Sequence, residues 1–159
     1  MRPTTILSRW LFDNLAGTFV EGSTLYVGRA EADMGVLNLS AGEVQDGELH
    51  ISGYAIKDGQ IYPLATKKDI KGAFVVYDNI EVMYGQTKDG PYAEQLACRI
   101  LCVDKTFHGV ESLADAVEEK LSGAYIQELQ GFVDILSRKA GYDPNTGEFL
   151  NELKLKVDL

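Results

Sequence analysis

Two runs decide the fold: Phe74 to Tyr84, FVVYDNIEVMY, and Tyr92 to Asp104, YAEQLACRILCVD. Both are rich in β-branched, aromatic and small apolar residues, which suit a pleated, half-buried surface. GQTKDGP between them is dense in turn formers. The pattern predicts two long antiparallel strands joined by a turn from Gly85 to Pro91. VESLADAVEEKLSG comes directly after. Val110, Leu113, Ala114, Val117 and Leu121 form one apolar stripe, and Glu111, Asp115, Glu118, Glu119 and Lys120 fill the other side. This predicts a helix over 110–122, ended by Gly123. YIQELQGFVDILSR then reads as one strand over 125–138. The last strand, 149–158, is the cleanest: Phe149, Asn151, Leu153, Leu155, Val157 and Leu159 alternate with Leu150, Glu152, Lys154, Lys156 and Asp158, one face buried and one wet. YDPNTGE before it is a turn.

Upstream, Ile6, Leu7, Trp10, Leu11 and Leu15 recur at helical spacing, so residues 4–17 read as a helix with Thr4 or Thr5 as cap and Gly17 at its end. Thr24 to Gly28 is a short strand. Residues 29–47 have no clear period and read as a loop. Glu48 to Lys57 and Gln60 to Ala65 flank Asp58-Gly59, a strong local hairpin signal. Pro63 places the return strand on an edge. The linker TKKDIKG leads into the long strands. These elements give an α+β domain over 1–159. Its mainly antiparallel sheet uses 73–85, 92–104, 125–138 and 149–158, with helices 5–16 and 110–122 on one face. An inserted loop and β-hairpin occupy about 35–68. The hairpin at 48–65 is expected to dock on a neighbour and to be dispensable for the monomer, because an isolated hairpin is marginal in water.

The chain of 159 residues carries a net charge of −9 at pH 7. One domain with its own core is the expectation at this length. So acidic a chain repels phosphate and is a poor non-specific nucleic-acid binder. No run approaches the apolar length of a membrane span. Arg9, Asp13 and Asn14 interrupt any signal-like core near the N-terminus. A reduced, cytoplasmic setting is expected. Cys98 and Cys102 agree with it: four apart on one strand face they stand roughly 13 Å from each other, too far for a disulfide or a shared zinc ion.

Little in the chain points to chemistry. His50 and His108 lack companions at metal-ligand spacing. Phosphate-cradle, nucleophile-elbow and zinc-protease motifs are absent. Asp78 and Glu81, three apart, fall on opposite faces of a regular strand, which argues against a paired-carboxylate site. No cofactor and no metal is implied. Tyrosine is plentiful, with eight in the chain. Tyr54, Tyr62, Tyr77, Tyr84 and Tyr92 fall in or beside predicted strands, where they serve cross-strand packing or protein contact.

The order of elements resembles the tail terminator (tail completion) proteins of long-tailed bacteriophages and prophages. The residues that carry the resemblance are Phe74 to Tyr77, the polar turn with Thr87, Lys88, Asp89 and Gly90, and Leu113-Ala114, Val117, Leu121 and Gly123. Tyr142-Asp143 stands before the closing strand. The match covers about residues 5–28 and 70–159, and the segment 35–68 is longer than the family's usual linker. The resemblance implies a non-enzymatic virion protein assembled in a bacterial cytoplasm. It implies a ring, typically of six copies, at the head-proximal end of the tail tube. Its partners would be copies of itself, the tube protein and a head-completion or neck protein. DNA would slide through the acidic ring without specific binding. The interface candidates are Tyr84, Gln86, Lys88, Asp89, Tyr92, Tyr54 and Tyr62. Two other readings stay open: another neck or head-tail connector, and a small ligand-binding or enzymatic α+β domain whose site residues lie far apart in sequence.

Overall fold

Four long strands and two helices account for most of the core, and all but one of them form where the sequence pattern places them. The structure, a computed structural model, describes residues 2–26, 43–45, 48–63 and 72–159. Most of the expected loop at 29–47, the end of the strand at 24–28 and the lysine-bearing linker up to residue 71 lie outside the described residues.

Helix α1 spans Pro3–Leu15 and α2 spans Phe107–Leu121. The strands, in chain order, are β1 Phe19–Val20, β2 Ser23–Tyr26, β3 Glu43–Gln45, β4 Glu48–Ile51, β5 Tyr54–Ala55 and β6 Ile61–Pro63. They continue with β7 Phe74–Thr87, β8 Gly90–Asp104, β9 Tyr125–Ile126, β10 Gly131–Asp143 and β11 Glu148–Asp158. The main sheet runs β6-β7-β8-β11-β10-β9. All its pairings are antiparallel except β6 with β7. β2-β4-β3 and β1-β5 form two small sheets. The class is α+β, as the sequence predicts.

Register partners share a face, so the sheet divides cleanly. One face carries Val75, Tyr77, Leu96, Cys98, Ile100, Cys102, Leu153, Leu155 and Val157, all buried. Leu7, Leu11 and Leu15 of α1 and Val110, Leu113, Val117 and Leu121 of α2 pack on it in one cluster. Both helices therefore lie on the same side. The opposite face holds a smaller cluster of Phe74, Val76 and Val103, flanked by Tyr62, Leu101 and Leu150. The middle of that face carries paired charges.

The helix ends differ in detail from expectation. α1 begins at Pro3, with no side-chain cap, rather than at a threonine cap. Proline suits the first helical position because its missing N–H has no helical partner there. α2 starts three residues early, at Phe107, because the Thr106 hydroxyl accepts from Gly109 N at 3.0 Å. His108 thus sits in the first helical turn.

Three other expectations are corrected. The run 125–138 is two strands: a turn ends β9 and reverses the chain into β10 through Gln130, whose φ is +50°. Gly131 comes next because a Cβ there would collide with the Asp158 carbonyl. The Asp58-Gly59 hairpin does not form. Asp58–Gln60 is a single 3-10 turn, fixed by the Gln60 side chain, which accepts from Lys57 N at 2.9 Å and donates to Ala73 O at 3.0 Å. Its flanks part company: β5 pairs with β1 and β6 adds parallel to the edge of β7. Pro63 is then on an edge strand, as its missing donor requires. The hairpin within the inserted segment is instead β3 with β4. Ile56 and Ile61 are buried in the main core, so 48–65 is not a dispensable appendage. Third, Asp78 and Glu81 share a face: a bulge at Asn79, with φ +52°, shifts the register between them. A bulge inserts one residue and turns the next side chains to the other face.

Candidate assembly surfaces

The β7–β8 hairpin outgrows the sheet. Pairing of β8 with β11 starts at Gln95 with Asp158, and Leu159 N donates to Glu94 O at 2.9 Å. Beyond that point residues 84–93 form a two-stranded arm. Its tip is tight: Thr87 Oγ1 donates to Gly90 O at 3.0 Å, and Asp89 N donates to Thr87 Oγ1 at 3.3 Å. Gly90 takes φ +111°, which only glycine adopts without strain. Gly85 faces Tyr92 across the arm, and a Cβ there would fall inside the tyrosine ring. The ring thus shields the bare backbone of a strand glycine.

The arm displays what the sequence reading selects. Tyr84 is 64% and Tyr92 46% exposed, and Gln86, Lys88 and Asp89 are exposed at the tip. Tyr54 and Tyr62 sit elsewhere and are half-buried. Tyr62 meets Phe74 edge-on at 5.9 Å. The Tyr54 hydroxyl is buried with no hydrogen-bond partner among the described residues. Burial, then Asp104 and Cys102, push its ionisation well above the usual range.

A second exposed apolar group lies at the far edge of the sheet. The Tyr125 and Phe132 rings meet tilted at 4.9 Å and are 50% and 60% exposed, and Leu136, four residues further along β10, is 57% exposed. Sequence reasoning missed this group because it took 125–138 for one strand. The Gln130-Gly131 pair was the available signal. A third aromatic group, Phe107, Phe149 and Tyr142, occupies the opposite end of the sheet, with centroid spacings of 6.0 and 4.9 Å.

Between these groups the helix-free face is a ladder of ion pairs. Arg99 is bidentate to Asp78 at 2.6 and 2.7 Å and reaches Glu152 at 3.9 Å. Lys154 meets Glu152 at 3.7 Å, and Lys156 meets Asp158 at 3.2 Å. Three acids face three bases, so this ladder is balanced although the chain is acidic.

The helix side is held by one clasp. Arg138 of β10 reaches Glu111, Asp115 and Glu118, one stripe of α2, at 2.8, 2.5 and 3.1 Å. It also donates to the buried Asn151 at 3.1 Å, and Asn151 donates to Glu111 at 2.8 Å. Asp104 is buried at the entrance to α2 and accepts from Lys105 N at 2.6 Å. Burial lifts its pKa to about 6, with Glu148 adding to the rise. The two cysteines are free and buried, and burial pushes both thiols up to about 12. Such thiols are inert.

Two open grooves flank the helices. One of about 560 Å³ is lined by Phe19, Glu21, Ser112, Asp115 and Lys120, and one of about 570 Å³ by Ser8, Arg9, Asp13 and Tyr77. Among the described residues no group of three or more His, Cys, Asp or Glu stands together to hold a metal. Among them, too, no helix is long and apolar enough to cross a membrane.

No protein-family model and no curated protein matches the chain. A solved structure does. The chain aligns with one from the virion of a native gene transfer agent particle, with a TM-score of 0.52. The two share a fold. Their sequences are 18% identical over 64% of this chain and 78% of that one, so the likeness rests on architecture. The aligned fold holds too little identity to carry individual side chains across.

Proposed function

We propose that this chain is a structural, non-enzymatic protein of a phage-like virion. Within that role it acts as a tail terminator, forming a ring on the head-proximal end of the tail tube. The observation that supports this most is the fold shared with a chain of the gene transfer agent virion. The resemblance in element order points the same way.

The sheet supplies a route to self-assembly. β6 covers only Val75 to Tyr77 of β7, and β9 covers only Gly131 and Phe132 of β10. Among the described residues both edges of the long-stranded sheet are otherwise unpaired, and open edges recruit further strands. The four long strands alternate in direction across β7-β8-β11-β10. A copy set beside another in the same orientation therefore brings β10 antiparallel to the next β7. A head-to-tail contact of this kind is heterologous and closes into a ring when its rotation permits. In this reading the arm tip, with Gln86, Lys88 and Asp89, reaches a neighbour or the lumen. The tube protein meets one end of the ring and a neck protein the other.

The test is tube growth. The purified chain, added to the tube protein of the same particle, is expected to cap tubes at one end and halt elongation. Tubes that lengthen unchanged in its presence, with no chain bound at their ends, would contradict the terminator role. Binding to a neck protein without any effect on tubes would favour a connector elsewhere in the neck.

A further inference from the structure

We infer that copies of this chain join through two particular apolar patches: Met83 and Tyr84 on the β7 edge of one copy, and Tyr125, Phe132 and Leu136 on the β9–β10 edge of the next. The inference rests on the ring reading and specifies its contact.

The register places Met83 of one patch and Phe132 and Tyr125 of the other in one row. Met83 pairs with Gln95, and Gln95 pairs with Asp158. Val157 pairs with Val133, so Asp158 lies beside Phe132, and Phe132 pairs with Tyr125. Partners across a sheet point to the same face. The row therefore crosses the helix-free face from edge to edge, apolar at both ends and polar in the middle. Gln95 donates to Asp158 at 2.7 Å in that middle. Within one copy the two ends cannot meet. Two copies set side by side bring one end against the other, at the same height and on the same face. A second copy is thus the occupant that fits both patches at once.

One detail strengthens the fit. The bulge between Met83 and Tyr84 and the bulge between Ile135 and Ser137 both interrupt the ladder at the patches, and bulges re-aim side chains at sheet edges.

The test uses complementary lesions. Variant one is Met83→Asp with Tyr84→Asp, and variant two is Tyr125→Asp with Phe132→Asp. These are exposed side chains, so both variants should keep the wild-type circular dichroism and melting. Each alone is expected to be monomeric in light scattering at concentrations where wild type assembles, with self-affinity weakened roughly tenfold or more, as for central interface aromatics. An equimolar mixture is expected to give a one-to-one dimer and nothing larger, because only one intact contact can form. Wild type that assembles while either variant assembles equally well overturns this contact and leaves the ring reading standing. So does a mixture that stays monomeric. Wild type that is monomeric at every accessible concentration, with and without tube protein, overturns both.

Discussion

Alternate residues of the same four long strands build two unlike faces. The helix side takes Leu96, Cys98, Ile100, Leu153, Leu155 and Val157 out of water under α1 and α2. The other side takes Asp78, Arg99, Glu152, Lys154, Lys156 and Asp158 and pairs them at a partly exposed surface. The first face is governed by burial, which contributes about 25 cal/mol for each Å² of apolar surface removed from water. The second is governed by screened surface pairs of about 0–1 kcal/mol each. Stability is therefore expected to reside on the helix side. The helix-free side, with its apolar ends, is the side proposed to meet other copies. One consequence is that lesions on the two sides should separate in experiment, one lowering the melting point and the other the assembly state.

The largest separation is expected in the core. Leu113→Ala or Leu155→Ala, at positions with 1% exposure, should cost about 2–5 kcal/mol in urea unfolding, through lost transfer energy and a residual cavity. The molecules that remain folded should still self-associate. A loss below about 1 kcal/mol would show that the helix side is not the stabilising face.

Asp104 gives the helix side a pH signature. It is 3% exposed, and its pKa is raised from 3.8 to about 6. The folded state holds this proton more tightly than the unfolded state. Its contribution is thus fully present below about pH 4 and is lost as pH rises through about 6. Asp104→Asn should raise stability at pH 7 by on the order of 2–3 kcal/mol and flatten the decline between about pH 4 and 6. Chemical denaturation across that range is the measurement, and an unchanged slope would contradict the burial argument.

The Arg138 clasp should show an intermediate effect. Arg138→Met removes the partner of three carboxylates and of buried Asn151, and about 2 kcal/mol of stability should go with it. Hydrogen exchange of α2 should rise more than that of α1. The smallest effect belongs to the helix-free ladder. Arg99→Met should change stability by no more than about 1 kcal/mol. A drop as large as that of the core variants would erase the distinction between the faces.

Much of this division was legible in the sequence, because strand alternation and helical stripes are local. β8, β11 and α2 fall within three residues of the pattern's reading, and both helices share one face as expected. What could not be read was non-local or hidden by a turn. Asp58-Gly59 offered a hairpin, yet its flanks bury Ile56 and Ile61 against other strands. A local turn signal says nothing of partners that lie far along the chain. The strand break at Gln127–Gln130 lacks proline and has glycine only at its end. The Asn79 bulge left alternation looking regular, which put Glu81 on the wrong face. The arm tyrosines were readable as candidates. The patch at Tyr125, Phe132 and Leu136 was not, since its exposure results from that same turn.

In the proposed assembly the helix-free side and its two edges join the chains while the helix side holds the fold. Hydrogen–deuterium exchange on assembled and monomeric protein compares both sides in one experiment. New protection on assembly is expected in residues 80–85 and 125–139, with α1 and α2 unchanged. Protection gained mainly along α1 or α2, with both sheet edges exchanging as in the monomer, would contradict it.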